Sequence, residues 1–293
     1  MNNSCYTFEK IEYKDGLLSK CVDATYVIHL EGNGRLESVK KQLAEYCPTR
    51  LVYILLNKGY KKCNKPEYVK NSARDLVDAN LQIFKHAEQQ GYGNILVLED
   101  DFIFSPKIKE QRHCDNIHQF LRTHVNQPIC YLLGCVPYIL IPYDYNNYRQ
   151  LYSFGMHCVV FNKKNREVVL NENPKKIADW DAYFYFSHFN RKHVYYDCMC
   201  YQLFTETENS STWGEEYGPI IRNLCKTTIP IMKALNMDKN PEPGFAFWYI
   251  FSKILGILIL FLILWVCYKI LHFVFKYSKM TKQNIMRFAK WKL

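Results

Sequence analysis

Several motifs that would place the chain in a familiar class are missing. Its 293 residues contain no G-x-G-x-x-G run and no Walker sequence, which excludes the usual dinucleotide and P-loop sites. Twelve cysteines are present, yet none forms a C-x-x-C pair, whereas structural zinc needs two suitably spaced ligand pairs. Because apolar residues are ample for a core, we interpret the cysteines mainly as small buried hydrophobic residues.

Charge is missing from one long stretch near the C-terminus. Residues 254–268 carry none, and nearly every residue from 245 to 275 is apolar. A run of about 20 apolar residues can cross a bilayer, and core helices are rarely this hydrophobic on all sides. Residues 1–13 are polar and lack the apolar centre of a secretory signal. We therefore expect one C-terminal transmembrane helix.

Acidic residues are absent from the tail after this stretch. Its six basic side chains, with Lys253 and Lys269, account for +8 of the net charge of +10, so the body carries about +2. A body this close to neutral does not fit a phosphate backbone, and we expect no nucleic-acid partner. The basic tail would place the body in a lumen by the positive-inside rule. Insertion from the C-terminal end would instead keep it cytoplasmic, the side that we favour.

The body alternates between strand and helix signals. Branched apolar runs at residues 24–30, 51–56 and 94–104 indicate buried strands. Apolar residues at three-and-four spacing follow the first two runs and indicate helices at 36–46 and 72–90. The order β-α-β-α-β predicts an α/β fold with a mixed, mostly parallel sheet flanked by helices.

The third run carries three consecutive acids, Glu99, Asp100 and Asp101, after which apolar residues resume at Phe102. Adjacent carboxylates cannot belong to a dry core, and ligands bind at the carboxyl edge of parallel strands. Clustered carboxylate oxygens suit Mg²⁺ or Mn²⁺ held jointly with a diphosphate. Alternation along a strand turns Glu99 and Asp101 one way and Asp100 the other. The competing interpretation is that the acids are solvated turn residues or helix caps.

Two segments resemble glycosyltransferase family 25, which contains lipopolysaccharide-modifying and collagen galactosyltransferases. Residues 27–30, followed by a turn with Arg35, resemble the family's opening V-I-N-L-D-R sequence. The helix at 75–90, Gly91-Tyr92 and residues 95–101 are similar to its helix-G-Y-x-x-x-L-V-L-E-D-D segment. The resemblance covers residues 24–212 and implies a GT-A-like fold, a UDP-sugar donor, and Mn²⁺ (or Mg²⁺) bound through the acids.

The resemblance also implies roles for single residues. Glu99 and Asp101 would hold the metal. The residues that would meet the donor are His29, Asn33, Arg35 and Asp100. Residues 177–181 look like the family's P-V-D-x-x-L segment, which makes Asp179, with Asp181 beside it, the expected general base. Asp179 could equally be the N-cap of a following helix.

These observations predict a membrane-anchored, inverting, metal-dependent glycosyltransferase. It would move a hexose from UDP-galactose or UDP-glucose to a hydroxyl on a glycan, lipid or protein. Two alternatives stay open: an inactive GT-A-like module tethered to a membrane, and an unrelated α/β metal hydrolase. The expected segments are an N-terminal segment (1–22), a transferase domain (23–212), a linker (213–246), a transmembrane helix (247–275) and a basic tail (276–293).

Overall fold

A seven-stranded mixed sheet forms the centre of the molecule. The computed structural model describes residues 5–186, 191–203, 223, 227–228 and 230–290. The strands are β1 (Tyr6–Glu12), β2 (Ala24–Leu30), β3 (Leu51–Asn57), β4 (Asn94–Glu99), β5 (Phe102–Phe104), β6 (Cys130–Pro142), β7 (Asn147–Asn162), β8 (Lys192–Tyr195) and β9 (Cys200–Gln202). The helices are α1 (Leu36–Tyr46), α2 (Ser72–Gln89), α3 (Gln111–Thr123), α4 (Lys163–Leu170), α5 (Trp180–Phe186) and α6 (Gly244–Lys290).

The strand order confirms the expected mixed α/β architecture. The main sheet runs β1-β3-β2-β4-β7-β6-β8, and β5 pairs with β9 in a separate two-stranded sheet. Strands β3, β2 and β4 are parallel, as the β-α-β-α-β order predicts, and β6 pairs in parallel with β8. Strands β1 and β7 are antiparallel to their neighbours. The carboxyl ends of β2 and β4 therefore meet at one edge.

Apolar side chains cover both faces of the central strands. Tyr26 and Ile28 of β2 belong to one core with residues of α2 and α5, whereas Val27 belongs to a second core with α1 and α3. Along β4 the same alternation continues. It places Glu99, at the end of β4, on the face that carries α2 and α5.

The third predicted strand is divided at its acids. Strand β4 ends at Glu99, the chain turns at Asp100 and Asp101, and β5 begins at Phe102 in the second sheet. The expected uninterrupted run over 94–104 is thus two strands. The acids lie at the point of division, on the carboxyl edge of the main sheet.

The N-terminal segment, which carries no clear pattern in the sequence, forms the edge strand β1. It pairs along its whole length with β3. A disulfide joins Cys5 to Cys63, so the start of the chain is fixed to the loop after β3. Six other cysteines are buried thiols, as expected for small hydrophobic residues. The Cys5–Cys63 bridge was not expected from the sequence.

Helix α6 is long and apolar enough to cross a membrane over Gly244–Tyr277. It begins inside the body: Phe245, Trp248, Tyr249 and Ser252 are buried against the sheet. The expected linker over 213–246 lies largely outside the described residues. The domain boundaries therefore stay predictions, with the addition that the first turns of α6 belong to the folded body.

Arg166 of α4 holds the turn that leads into β4. Its buried guanidinium pairs with Glu88 at 2.8 Å and donates hydrogen bonds to three backbone carbonyls. Two of these belong to Gly93 (3.0 Å) and Phe161 (3.1 Å), and the third to Tyr92. One side chain thus joins α2, α4, β7 and the start of the strand that carries the acids.

We expect Arg166→Met to lower the free energy of unfolding by about 3–5 kcal/mol, because it leaves a carboxylate and three carbonyls without their buried partner. Thermal unfolding of the full chain in detergent measures the change. Lys164→Met is the matched control on the same helix, since Lys164 is half-exposed and pairs with Glu167 only at 3.4 Å. Equal melting temperatures for the two variants would contradict this role of Arg166.

Candidate active site at the carboxyl edge of the sheet

The carboxylate of Asp100 joins the end of β4 to the end of β2. Its Oδ2 accepts hydrogen bonds from the Leu30 N–H (3.1 Å) and the Asn33 side-chain amide (2.5 Å), and lies 3.0 Å from His29 Nδ1. Its Oδ1 accepts from the Arg35 guanidinium at 2.9 Å. Burial opposes ionisation, but the hydrogen bonds from His29, Asn33 and Arg35 lower the pKa of Asp100 below its usual value. Asp100 is therefore an ionised carboxylate, and both of its oxygens already accept hydrogen bonds.

This cluster unites the four residues expected to meet the donor. His29, Asn33 and Arg35 each contact Asp100, so both oxygens of that carboxylate are already used. The Arg35 side chain is 30% exposed, which leaves part of its guanidinium facing solvent. Contact with a donor stays a prediction for all four residues.

Asp101 has one paired and one unpaired oxygen. Its Oδ2 accepts from the Gln202 side-chain amide at 2.9 Å and from Arg35 at 3.3 Å. Its Oδ1 is buried and has no hydrogen-bond partner. Burial raises the pKa of Asp101, and the hydrogen bond from Gln202 and the charge of Arg35 only partly offset that rise. An unpaired buried carboxylate oxygen is costly, so a bound cation or a hydrogen-bond donor from a ligand would stabilise this atom.

Glu99 is surrounded by other carboxylates. Burial, and then the charges of Asp101 and Asp181, raise the pKa of Glu99 well above its usual value. Asp100 and Asp179 contribute in the same direction. A positive charge bound beside Glu99 would therefore be stabilised by the surrounding carboxylates.

The two aspartates at the start of α5 have different surroundings. Asp179 is the N-cap: its Oδ1 accepts the Ala182 N–H at 3.0 Å. Asp181 Oδ2 accepts the Gly155 N–H at 2.9 Å. Burial and the charge of Asp179 raise the pKa of Asp181 to about 7, while buried Lys192 acts in the opposite direction. The capping interpretation thus describes Asp179, and Asp181 is the aspartate whose pKa is raised toward neutral pH.

Gly155, His157 and Gln202 complete the edge, and the sequence gives them no role in chemistry. Gly155 has φ of +64°, and a Cβ there would lie 3.1 Å from Gln202 Oε1. Buried His157 lies 2.9 Å from the Cys200 carbonyl through Nε2, and burial lowers its pKa to about 4. The signals in the sequence are the glycine within a strand and the glutamine that ends β9.

The residues present fit a divalent cation only in combination with a substrate. Within the described part of the chain, no group of three or more His, Cys, Asp or Glu side chains is placed to hold a metal ion. Glu99 and Asp101 nevertheless offer carboxylate oxygens, one of them unpaired. Ions such as Mg²⁺ are commonly held by one or two carboxylates plus substrate phosphates. The carboxylates of Glu99 and Asp101 suit that arrangement.

Comparisons with known proteins give weak similarities. No protein-family model and no curated protein matches the chain. Among solved structures, it is similar to a glycosyltransferase involved in the glycosylation of the major capsid of PBCV-1, with 14% identity and a TM-score of 0.40 over 64% of this chain and 95% of that one. It is also similar to the A197 protein from STIV, with 12% identity and a TM-score of 0.36 over 62% and 86% of the two chains. Neither similarity is strong enough to define a family.

We expect Asp181→Asn to flatten the pH dependence of stability. Folded Asp181 keeps its proton up to about pH 7, whereas an unfolded aspartate loses it near about pH 3.9. Since the folded state binds more protons in this interval, raising the pH favours unfolding. The melting temperature of the wild type should therefore fall more steeply than that of the variant between about pH 5 and pH 7.

The control for this measurement is Asp115→Asn, at an exposed position of α3. It should keep the wild-type slope of melting temperature against pH. If Asp181→Asn and Asp115→Asn gave the same slope as the wild type, a proton held by Asp181 would be ruled out.

Proposed function

We propose that the chain is a membrane-anchored glycosyltransferase with a GT-A-like domain. It would move a hexose from UDP-galactose or UDP-glucose to a hydroxyl group, with the help of a divalent cation and with inversion at the sugar. The observation that carries this proposal is the placement of Glu99, Asp101 and Asp181 at one edge of the sheet, with an unpaired oxygen on Asp101. The resemblance to glycosyltransferase family 25 supports it.

The reaction has two requirements: a base for the acceptor hydroxyl and stabilisation of the leaving diphosphate. The acceptor oxygen attacks the anomeric carbon, the bond from that carbon to the diphosphate oxygen breaks, and the nucleoside diphosphate leaves with the bonding electrons. The proton of the acceptor hydroxyl passes to a carboxylate base. A base with a pKa near the working pH is the most effective, and Asp181, with a pKa of about 7, meets this condition.

Asp179 then has a positioning role. Its side chain caps α5 through the Ala182 N–H, and its charge raises the pKa of Asp181. Either aspartate matches the sequence-based expectation for a base. We assign that role to Asp181 because its pKa is raised to about 7, whereas the side chain of Asp179 caps α5.

The leaving diphosphate would lie near Glu99, Asp101 and Arg35. Glu99 and Asp101 would hold the divalent cation, which, when bound, neutralises negative charge on the leaving group. Arg35, partly exposed and close to both Asp100 and Asp101, would contact a phosphate oxygen. Asp100 would fix Arg35 and the turn after β2 beside the donor.

A second candidate function is an inactive GT-A-like module. The observation in its favour is that His29, Asn33 and Arg35 are engaged with Asp100. A donor would have to bind beside this cluster without breaking it. The same experiment separates the two functions.

We expect UDP-galactose or UDP-glucose to raise the melting temperature of the full chain in detergent, and Mn²⁺ to increase the shift. A ligand that binds only the folded state stabilises it in proportion to its occupancy. Asp101→Ala should abolish both shifts, because it removes the unpaired oxygen. Nucleotide-sugar hydrolysis and transfer should be lost with them.

Asp115→Ala is the control for this experiment, since it removes an exposed carboxylate on α3, which packs on the face of the sheet opposite to Glu99. It should leave both shifts unchanged. A wild-type chain that responds to neither sugar nucleotide, with or without Mn²⁺, would favour the inactive module. Full activity in Asp101→Ala would overturn the assignment of the metal site.

The disulfide changes the preferred orientation in the membrane. Disulfides persist in oxidising compartments and are rare in the cytosol, so the Cys5–Cys63 bridge favours a lumenal or external body. The positive-inside rule places the basic tail in the cytoplasm, which requires the same orientation. We therefore revise the expectation of a cytoplasmic body.

Protease treatment of sealed microsomes tests this orientation. With an epitope tag after the last residue, we expect the tag to be removed and the body to stay intact until detergent opens the vesicles. The body should also migrate faster on a gel before reduction than after it, because the bridge closes a loop. Digestion of the body in sealed vesicles would contradict the lumenal orientation and support a cytoplasmic body.

A further inference from the structure

We propose that the turn joining β6 to β7, residues 143–146, rests in the headgroup layer of the bilayer that α6 crosses, with Tyr145 as its lipid contact. The partner is the lipid surface itself. The proposal depends on α6 as a transmembrane helix and is independent of whether the candidate active site is active.

The first three turns of α6 are fixed to the body. Phe245 and Ser252 are fully buried, and Trp248 and Tyr249 nearly so. The Ser252 hydroxyl donates to the Pro137 carbonyl of β6, and the Tyr249 hydroxyl lies 3.6 Å from the Cys135 sulfur. A helix held this closely cannot swing relative to the sheet, so the body and the start of the span move as one piece.

Gly256 marks the level at which α6 leaves the body. A Cβ at this position would overlap the Leu140 carbonyl, so the helix and the end of β6 touch at the backbone. From Ile257 onward most side chains of the helix are exposed and apolar, for example Leu258 at 58% and Phe261 at 66%. The uncharged run 254–268 lies at and beyond this level, with Lys253 and Lys269 at its two ends, where long basic side chains can reach the headgroups.

Hydrogen bonds place the turn close to this level. The Tyr196 N–H donates to the Asn146 carbonyl of the turn at 2.9 Å. The Lys253 ammonium donates to the Tyr196 carbonyl at 2.5 Å and lies 5.2 Å from the ring centroid of Tyr148. Lys253 comes less than one helical turn before Gly256. The turn is thus tied to the part of α6 that enters the headgroup layer.

The contacts along β6 agree with this position. Cys135 meets Tyr249, and Leu140 meets Gly256, so contacts move toward the membrane as the strand proceeds. Residues 143–146 follow the last of these contacts. The turn therefore belongs to the membrane end of the body.

The exposed chemistry of the turn suits a membrane interface. The Tyr145 side chain is 96% exposed, which is a large aromatic surface to leave in water. Tyrosine is enriched at the membrane–water interface because its ring is apolar and its hydroxyl is polar. The Asp144 carboxylate accepts hydrogen bonds from the Asn146 N–H (2.9 Å) and the Asn147 amide (2.8 Å), so the turn satisfies its own acid.

The test uses the full chain in nanodiscs of phosphatidylcholine and phosphatidylglycerol, with the photo-crosslinker p-benzoylphenylalanine in place of Tyr145. Because Tyr145 is almost fully exposed, the replacement disturbs no packing. Illumination should give a protein–lipid adduct, identified by intact mass. The same crosslinker in place of Phe261, within the span, provides the positive control. An adduct at 261 without one at 145 would overturn the proposal.

A matched pair of insertions gives the second measurement. Seven helix-forming polar residues inserted after Gly256 would lift the body by about 10 Å and nearly preserve its rotation about the helix. The adduct at position 145 should then disappear, while the one at 261 stays. The same insertion after Tyr277, beyond the span, should leave both adducts unchanged. An adduct at 145 that persists in the first insertion would contradict the proposed position of the turn.

Discussion

The hydrogen bonds to the Asp100 carboxylate are the interaction on which the candidate site depends. They connect the end of β4 with His29 and Leu30 at the end of β2 and with the turn that precedes α1. Because Asp100 is directed there, the chain turns, β5 leaves the main sheet, and Asp101 comes within reach of Gln202 on β9. The pairing of β5 with β9 then brings the closing strand to the same edge. Asp100, whose two oxygens are fully hydrogen-bonded, thus organises the site. Its neighbours keep the reactive features: Asp101 has an unpaired oxygen and Glu99 has a raised pKa.

Local patterns in the sequence predict much of the fold. The strands β2 and β3, the helices α1 and α2, and their parallel arrangement follow from apolar runs and three-and-four spacing, since both record which faces are buried. No local sequence pattern predicts that the strand breaks at Asp100. The break depends on Asn33 and Arg35, more than sixty positions earlier in the chain. Strand β1 was missed because charged residues separate its apolar ones, as suits an edge strand.

In the candidate site, too, some features follow from the local sequence and others depend on residues far away in the chain. The acids were identifiable because three charges at the end of a buried run are unusual. The different surroundings of Asp179 and Asp181 were not identifiable, because they depend on where α5 begins and on Gly155 and Lys192 from other strands. The Cys5–Cys63 bridge could not be deduced either, since the pairing of cysteines is not encoded in their spacing.

The uninterrupted course of α6 has a mechanical consequence. Phe245, at its start, packs against His157, with 6.1 Å between the ring centroids, and His157 lies beside the candidate site. Gly256, where the helix leaves the body, is only about 17 Å further along the same rigid rod. A folded body on a flexible stalk can sample many heights above a bilayer, whereas a body joined to its span by a continuous helix has a fixed reach. Under the proposed function, only an acceptor presented at that height above the lipid would reach the candidate site.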